Sequence, residues 1–188
     1  MNLSRKLILA SNSPRRKELL GKLDVTFEVK VKEVPEDYPE NLRREQIAEY
    51  LANHKAEAYL ADLQDEIILT ADTIVCVDDL VLNKPSDASE AHRMLSLLSG
   101  REHTVITGVC LLSREKKVLF HDATQVYFKT LSEEEISYYL EHYRPYDKAG
   151  AYGAQEWLGM IAVDRIEGSY FNVMGLPVHA VYRELLKF

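Results

Sequence analysis

The first unbroken apolar block is Leu7-Ile8-Leu9-Ala10, and a strict apolar–polar alternation runs from Val25 to Val31. The block predicts a buried strand and the alternation a half-buried one, with Pro14 to Leu20, closed by Gly21, as the helix between them. A β-α-β opening follows. The acidic, proline-containing segment Glu33 to Glu40 reads as a loop. A long helical stretch from about Leu42 to Ala61 then places Ile47, Leu51, Ala58 and Ala61 on one side.

Ile67 to Val77 is an apolar, β-rich run interrupted by Asp72-Thr73, and Asp78-Asp79 turns it into Leu80-Val81-Leu82, which predicts a hairpin. Asp87 and Glu90 form a capping box for a helix ending at Leu98, with a stripe at Ala91, Met94, Leu95 and Leu98 and Gly100 beyond it. Two strand-like runs, Glu102 to Leu112 and Lys117 to Thr130, are joined by the polar turn Ser113 to Lys116. A second capping box, Ser132 with Glu135, opens a helix bearing Ile136, Tyr139 and Leu140. A glycine-containing loop from Asp147 to Gly159, a strand through Ile161 to Val163, the segment Ser169 to Leu176 and a helix after Pro177 complete the chain. Helices interleaved with crossovers and hairpins predict an α/β protein with a mixed sheet, in one domain over residues 1–188.

Composition narrows the partners. With 46% hydrophobic and 28% charged residues the chain is a folded, ordered protein, and its net charge of -7 argues against a broad nucleic-acid face while allowing a local basic pocket for a small anion. Cys76 and Cys110 lie in apolar runs without a Cys-x-x-Cys pattern and read as reduced core residues. The six histidines show no metal-ligand spacing, which argues against zinc. No apolar stretch reaches membrane-spanning length and no signal-peptide pattern opens the chain, so the expected location is the cytoplasm.

Against this background a few residues stand out. Ser13-Pro14 is a well-specified helix start, yet Arg15 and Arg16 follow at the positive end of the dipole, where each costs about 0.3–1 kcal/mol unless an anion is present. With Ser11 and Ser13 they suggest a phosphate grip; the alternative is solvated charge offset by carboxylates such as Glu18. Successive helical residues point about 100° apart, so one arginine can face a ligand while the other faces elsewhere. Asp72 is a carboxylate among residues that should be buried, either a general base or metal ligand or an aspartate held at a strand end or bulge. Thr73, Lys84, Lys55 and Glu36 each admit an ordinary reading as strand, turn, helix-surface or loop residues, and gain force only as a set.

That set resembles the Maf family of nucleotide pyrophosphatases. The likeness runs from LILASNSPRRKELL (Leu7 to Leu20) through Ala71-Asp72-Thr73-Ile74-Val75, Lys84-Pro85, Asp147-Lys148-Ala149-Gly150-Ala151-Tyr152, and Gly168-Ser169-Tyr170 to Gly175-Leu176-Pro177. It implies a house-cleaning hydrolase that cuts a nucleoside triphosphate between its α- and β-phosphates with a divalent cation, magnesium or alternatively manganese. The implied fold is a mixed sheet bent around a cleft between two lobes, similar to inosine triphosphatase, and the implied assembly is a homodimer.

Carried onto this chain, the resemblance makes Asp72 the proton acceptor for the attacking water. It assigns Ser11, Ser13, Arg15, Arg16, Lys55 and Lys84 to the phosphates, and Glu36 to the metal. Its dTTP and UTP branch places Arg15, Thr73 and Gln155 at the positions linked to base choice. A glutamine amide, which donates and accepts, matches the carbonyl and imide N–H of thymine or uracil. Two departures stand out: Pro35 occupies the second acidic place of the loop, leaving Glu36 alone, and Glu156-Trp157-Leu158-Gly159 replaces the glycine-rich continuation after Gln155. Trp157 could stack on a base or serve a core or dimer contact. The competing functions are a phosphatase with Asp72 as nucleophile, which lacks the expected second aspartate, and a nucleotide-binding regulator of cell division without turnover.

Overall fold

The structure, a computed structural model, describes residues 3–188. It opens with strand β1 (Leu7–Leu9), helix α1 (Pro14–Gly21) and strand β2 (Phe27–Val29), followed by helix α2 (Arg44–Glu57), the long strand β3 (Ile67–Val77) and β4 (Leu80–Leu82). Helix α3 (Ala88–Leu98), strands β5 (Glu102–Leu112) and β6 (Lys117–Phe128) and helix α4 (Glu133–Tyr143) come next. A 3₁₀ turn (Ala149–Ala151), α5 (Trp157–Ala162), β7 (Val163–Glu167), α6 (Tyr170–Val173) and α7 (Val178–Leu185) complete it. The strands form one seven-stranded sheet in the order β2-β1-β3-β5-β6-β7, with β4 on β3. β1 is parallel to β2 and β3, as the predicted β-α-β opening requires, while β3-β4 and β6-β7 are antiparallel, so the sheet is mixed.

The chain divides into two compact units: residues up to Thr73 with Thr107–Asp122 and Gly175–Phe188, and Ile74–Ile106 with Ala123–Met174. In the first, Ile8, Ala52, Ala56, Tyr59, Leu63, Ile68, Cys110 and Leu112 form an apolar cluster between α2 and the strands. Helix α2 lies unusually close to the sheet. A Cβ at Gly108 of β5 would sit 2.2 Å from the Ala48 carbonyl oxygen, so only glycine permits the contact. The buried Thr70 hydroxyl of β3 donates to the Ala52 carbonyl at 2.7 Å. These two contacts set the rotation and height of α2, and hence where Lys55, three residues after Ala52, projects.

In the second unit, α3 and α4 pack on Val75, Val77, Val105, Val126 and Phe128, with Leu158 and Ala162 filling the same core. The caps follow the sequence. Asp87 Oδ1 accepts from the Glu90 amide at 2.8 Å, and Ser132 and Glu135 exchange both bonds of a capping box. Glu90 does not close its box on Asp87; its carboxylate instead accepts from the Ser86 amide and hydroxyl.

Other expectations are corrected. The alternating run from Val25 to Val31 contributes only three strand residues, because β2 pairs with a β1 that is itself three residues long. Val29 and Val31, lying beyond cover at this edge, are 43% and 37% exposed. The long helix is shorter than its pattern, Arg44–Glu57, and β6 ends at Phe128. The predicted strand at Ile161 to Val163 is the end of helix α5 and the start of β7. Leu158 and Ala162, four apart, are both fully buried, and Gly159 marks a close approach rather than a loop, since a Cβ there would lie 2.2 Å from the Ala154 carbonyl oxygen. Cys76 and Cys110 are buried and not joined in a disulfide, with burial raising the Cys110 thiol to about 11.

Candidate active site

Asp72 lies in the middle of β3, not at an end, and is 8% exposed. Thr70 and Asp72 are two residues apart on one strand and so face the same way. The contact that docks Thr70 on Ala52 therefore brings Asp72 to Lys55 on the next turn of α2. Lys55 Nζ lies 2.5 Å from Asp72 Oδ1 and 2.8 Å from Glu36 Oε1. One ammonium thus gathers the strand carboxylate and the acidic-loop carboxylate, two of the expected site residues drawn together by a third. Lys55 and Asp72 side chains are 17% and 11% exposed, whereas Glu36 is 46% exposed. The pair is consequently shielded from water while the loop residue is not.

Of the two α1 arginines, the geometry of Arg16 is set by protein oxygens. Arg16 turns inward: Nε donates to the Gly175 carbonyl at 2.8 Å, one terminal nitrogen to the Ala71 carbonyl at 2.8 Å, and the other to Thr73 Oγ1 at 2.9 Å. It therefore grips the residues on both sides of Asp72. Burial pushes its guanidinium below the usual arginine value, an effect that neighbouring Asp72 opposes. Thr73 Oγ1 is also 3.0 Å from Thr107 Oγ1, so its hydroxyl is locked between protein groups. Ser13 caps α1 by accepting from the Arg16 amide at 3.4 Å, and Ser11 Oγ accepts from the Ser13 amide at 3.2 Å. α1 has no acidic residue in its first turn, so its N-terminal charge is not met by its own side chains.

Lys84 and Gln155 belong to the second unit. Lys84 is exposed and follows Asn83, whose carbonyl accepts from the Gly150 amide at 3.3 Å, tying the strand return to the Asp147-Lys148-Ala149-Gly150 loop. The Gln155 Oε1 atom is buried and has no hydrogen-bond partner among the described residues. Trp157 packs on Tyr138, ring centroids 4.8 Å apart, against the second unit's core.

Sequence reasoning missed four participants. Thr107 and the Gly175 carbonyl complete the setting of Thr73 and Arg16, and Tyr139 and Lys148 surround Glu156 beside Gln155. The lysine ahead of Ala149-Gly150-Ala151 is the one signal in the sequence; Tyr139 lies in an apolar stripe and gives none.

A "dTTP/UTP pyrophosphatase" of Porphyromonas gingivalis strain W83 is 55% identical over 187 residues, covering 97% of this chain and 94% of that one. Proteins of the same name from Parabacteroides distasonis and Bacteroides fragilis strain NCTC 9343 are each 51% identical, covering 97% and 98% of this chain and 96% and 97% of theirs. A solved Ham1 protein from Staphylococcus aureus aligns with a TM-score of 0.46 at 14% identity, over 70% of this chain and 88% of that one. The Maf-like protein family matches residues 6–188, and with relatives this similar over nearly its whole length the chain belongs to the Maf family.

Proposed function

We propose that this protein is a nucleoside triphosphate pyrophosphatase that hydrolyses dTTP and UTP to the monophosphate and pyrophosphate, the activity its relatives' names carry. The observation that supports it most is Asp72, a carboxylate in the middle of an apolar strand, held 2.5 Å from Lys55 Nζ. Asp72 takes the proton of a water as its oxygen bonds to phosphorus; the bridging P–O bond breaks and pyrophosphate leaves with that electron pair. Lys55, Arg15, Lys84 and the serine-lined start of α1 offset the triphosphate's charge. Arg16 assists from behind, its guanidinium given to protein oxygens on either side of Asp72. Thr73 and Arg15, with Gln155, take part in base choice, and a buried amide oxygen lacking a protein donor suits the imide N–H of uracil or thymine.

Among the described residues no group of three or more His, Cys, Asp and Glu side chains could hold a metal alone. Magnesium requires no such cage where phosphate oxygens and waters complete its shell. Glu36 and Asp72, gathered on one ammonium, are the donor set that fits it, and manganese takes the same oxygen ligands. When bound, the ion neutralises phosphate charge. No described helix is long and apolar enough to cross a membrane; a cytoplasmic homodimer that cleans nucleotide pools completes the proposal.

The test incubates the protein with magnesium and dTTP, UTP, CTP, GTP, ATP or 7-methyl-GTP and measures pyrophosphate and inorganic phosphate separately. Pyrophosphate from dTTP and UTP supports the proposal. Inorganic phosphate as the product would favour an aspartate nucleophile, and binding without turnover would favour a regulator.

A further inference from the structure

Gln155 is third in a four-residue turn, Gly153 to Glu156, closed by the Glu156 amide donating to the Gly153 carbonyl at 3.0 Å. Both ends of the turn are fastened to one phenol. The Gly153 amide donates to the Tyr139 oxygen at 3.1 Å, and the Tyr139 hydroxyl donates to Glu156 Oε2. Glu156 Oε1 lies 3.0 Å from Lys148 Nζ, which also bonds Asp147 Oδ1 at 2.7 Å. Tyr139 is fully buried and Lys148 is 8% exposed, so the restraint works where water does not compete for it. Burial, reinforced by Glu156, pushes the Tyr139 hydroxyl well above an ordinary tyrosine, which keeps its proton in place to donate.

Within this arrangement the Gln155 amide oxygen is buried and has no hydrogen-bond partner among the described residues. Leaving a buried acceptor unpaired carries a desolvation cost that no protein group offsets. A clamp with three side chains, built around the residue that bears that cost, holds the acceptor ready for a donor from outside the chain. Glu156, which departs from the glycine-rich pattern at this point, is its central member.

We infer that Tyr139, Glu156 and Lys148 are specificity-positioning residues, fixing the Gln155 turn so that its amide oxygen accepts from the imide N–H of uracil or thymine. This rests on the pyrophosphatase reading and on Gln155 as the base reader. Cytosine carries an acceptor at the same ring nitrogen, so a fixed oxygen opposes it, whereas a mobile amide can turn its NH₂ toward it. Discrimination thus depends on rigidity as much as on the glutamine itself.

The experiment measures kcat and KM for UTP and CTP by pyrophosphate release in the wild type, Tyr139→Phe and Glu156→Gln, with thermal midpoints recorded alongside. In Tyr139→Phe the UTP-to-CTP ratio of kcat/KM contracts about tenfold, mainly through a higher KM for UTP. Glu156→Gln retains an acceptor for the phenol and contracts the ratio less; it also serves if Tyr139→Phe does not fold. A fall shared equally by UTP and CTP, following the loss of thermal stability, would show a purely structural clamp and overturn the inference. A wild type that hydrolyses UTP and CTP equally would overturn it while leaving the pyrophosphatase reading intact. Absence of pyrophosphate from every triphosphate would defeat both.

Discussion

The surroundings of Asp72 and of Gln155 solve opposite problems. Around Asp72, charge is brought into a shielded place and matched there: Lys55 lies 2.5 Å from one carboxylate and 2.8 Å from another, and Arg16 is spent on protein oxygens. Around Gln155, an acceptor is buried and left unmatched while its backbone is held by a phenol and an ion pair. On the proposed reading, charge positioned for chemistry is balanced by its partners, and an acceptor meant for a base stays unmatched until the ligand supplies the donor.

The largest effect should come from breaking the charged side. Asp72→Asn keeps shape and removes the proton acceptor, and should lower kcat for UTP about 10³-fold with little change in melting temperature, by pyrophosphate assay and calorimetry. Lys55→Met leaves two carboxylates facing each other, and should cost about 100-fold in kcat/KM, partly recovered at higher magnesium concentration. The arginines sharpen the contrast further. Arg16→Ala removes donors to Ala71, Thr73 and Gly175, and should destabilise the fold by about 2 kcal/mol and lower kcat. Arg15→Ala should instead raise KM for the triphosphate with stability nearly unchanged. If the two variants exchange these behaviours, the assignment of one arginine inward is wrong.

The smallest effect on activity concerns the second unit, where burial keeps one histidine neutral. His103 is 2% exposed, bonded through Nε2 to the Tyr152 hydroxyl at 2.7 Å, and burial lowers it from 6.5 to about 3. The unfolded chain therefore binds a proton that the folded chain refuses between those values. His103 accordingly favours folding fully above pH 6.5 and progressively less as pH falls toward 3. His103→Gln should flatten the acid side of the stability profile in urea titrations. An unchanged slope would mean that His103 titrates alike in both states.

Much of this was legible in the sequence where physics is local. Ser13-Pro14 and Ser132 with Glu135 mark helix starts because caps depend on residues three apart, and β5 follows its apolar run at both ends. Helix α5 was not legible, since Gly159 beside a β-branched run reads as loop and strand until its packing on Ala154 is known. Within the site, Asp72 announces itself as a charge in an apolar run, and the motifs bring Lys55 and Glu36 to it. Which arginine turns inward depends on the roll of α1 against β3. Tyr139 is indistinguishable from a core residue, because its hydroxyl acquires meaning only when residues 153–156 fold against it.

The most direct test of the central claim is the rate of pyrophosphate release from UTP by the wild type and by Asp72→Asn, both shown to be folded. One pyrophosphate per UTP, lost about 10³-fold in the variant, is the predicted result. A variant that releases pyrophosphate at the wild-type rate would contradict it.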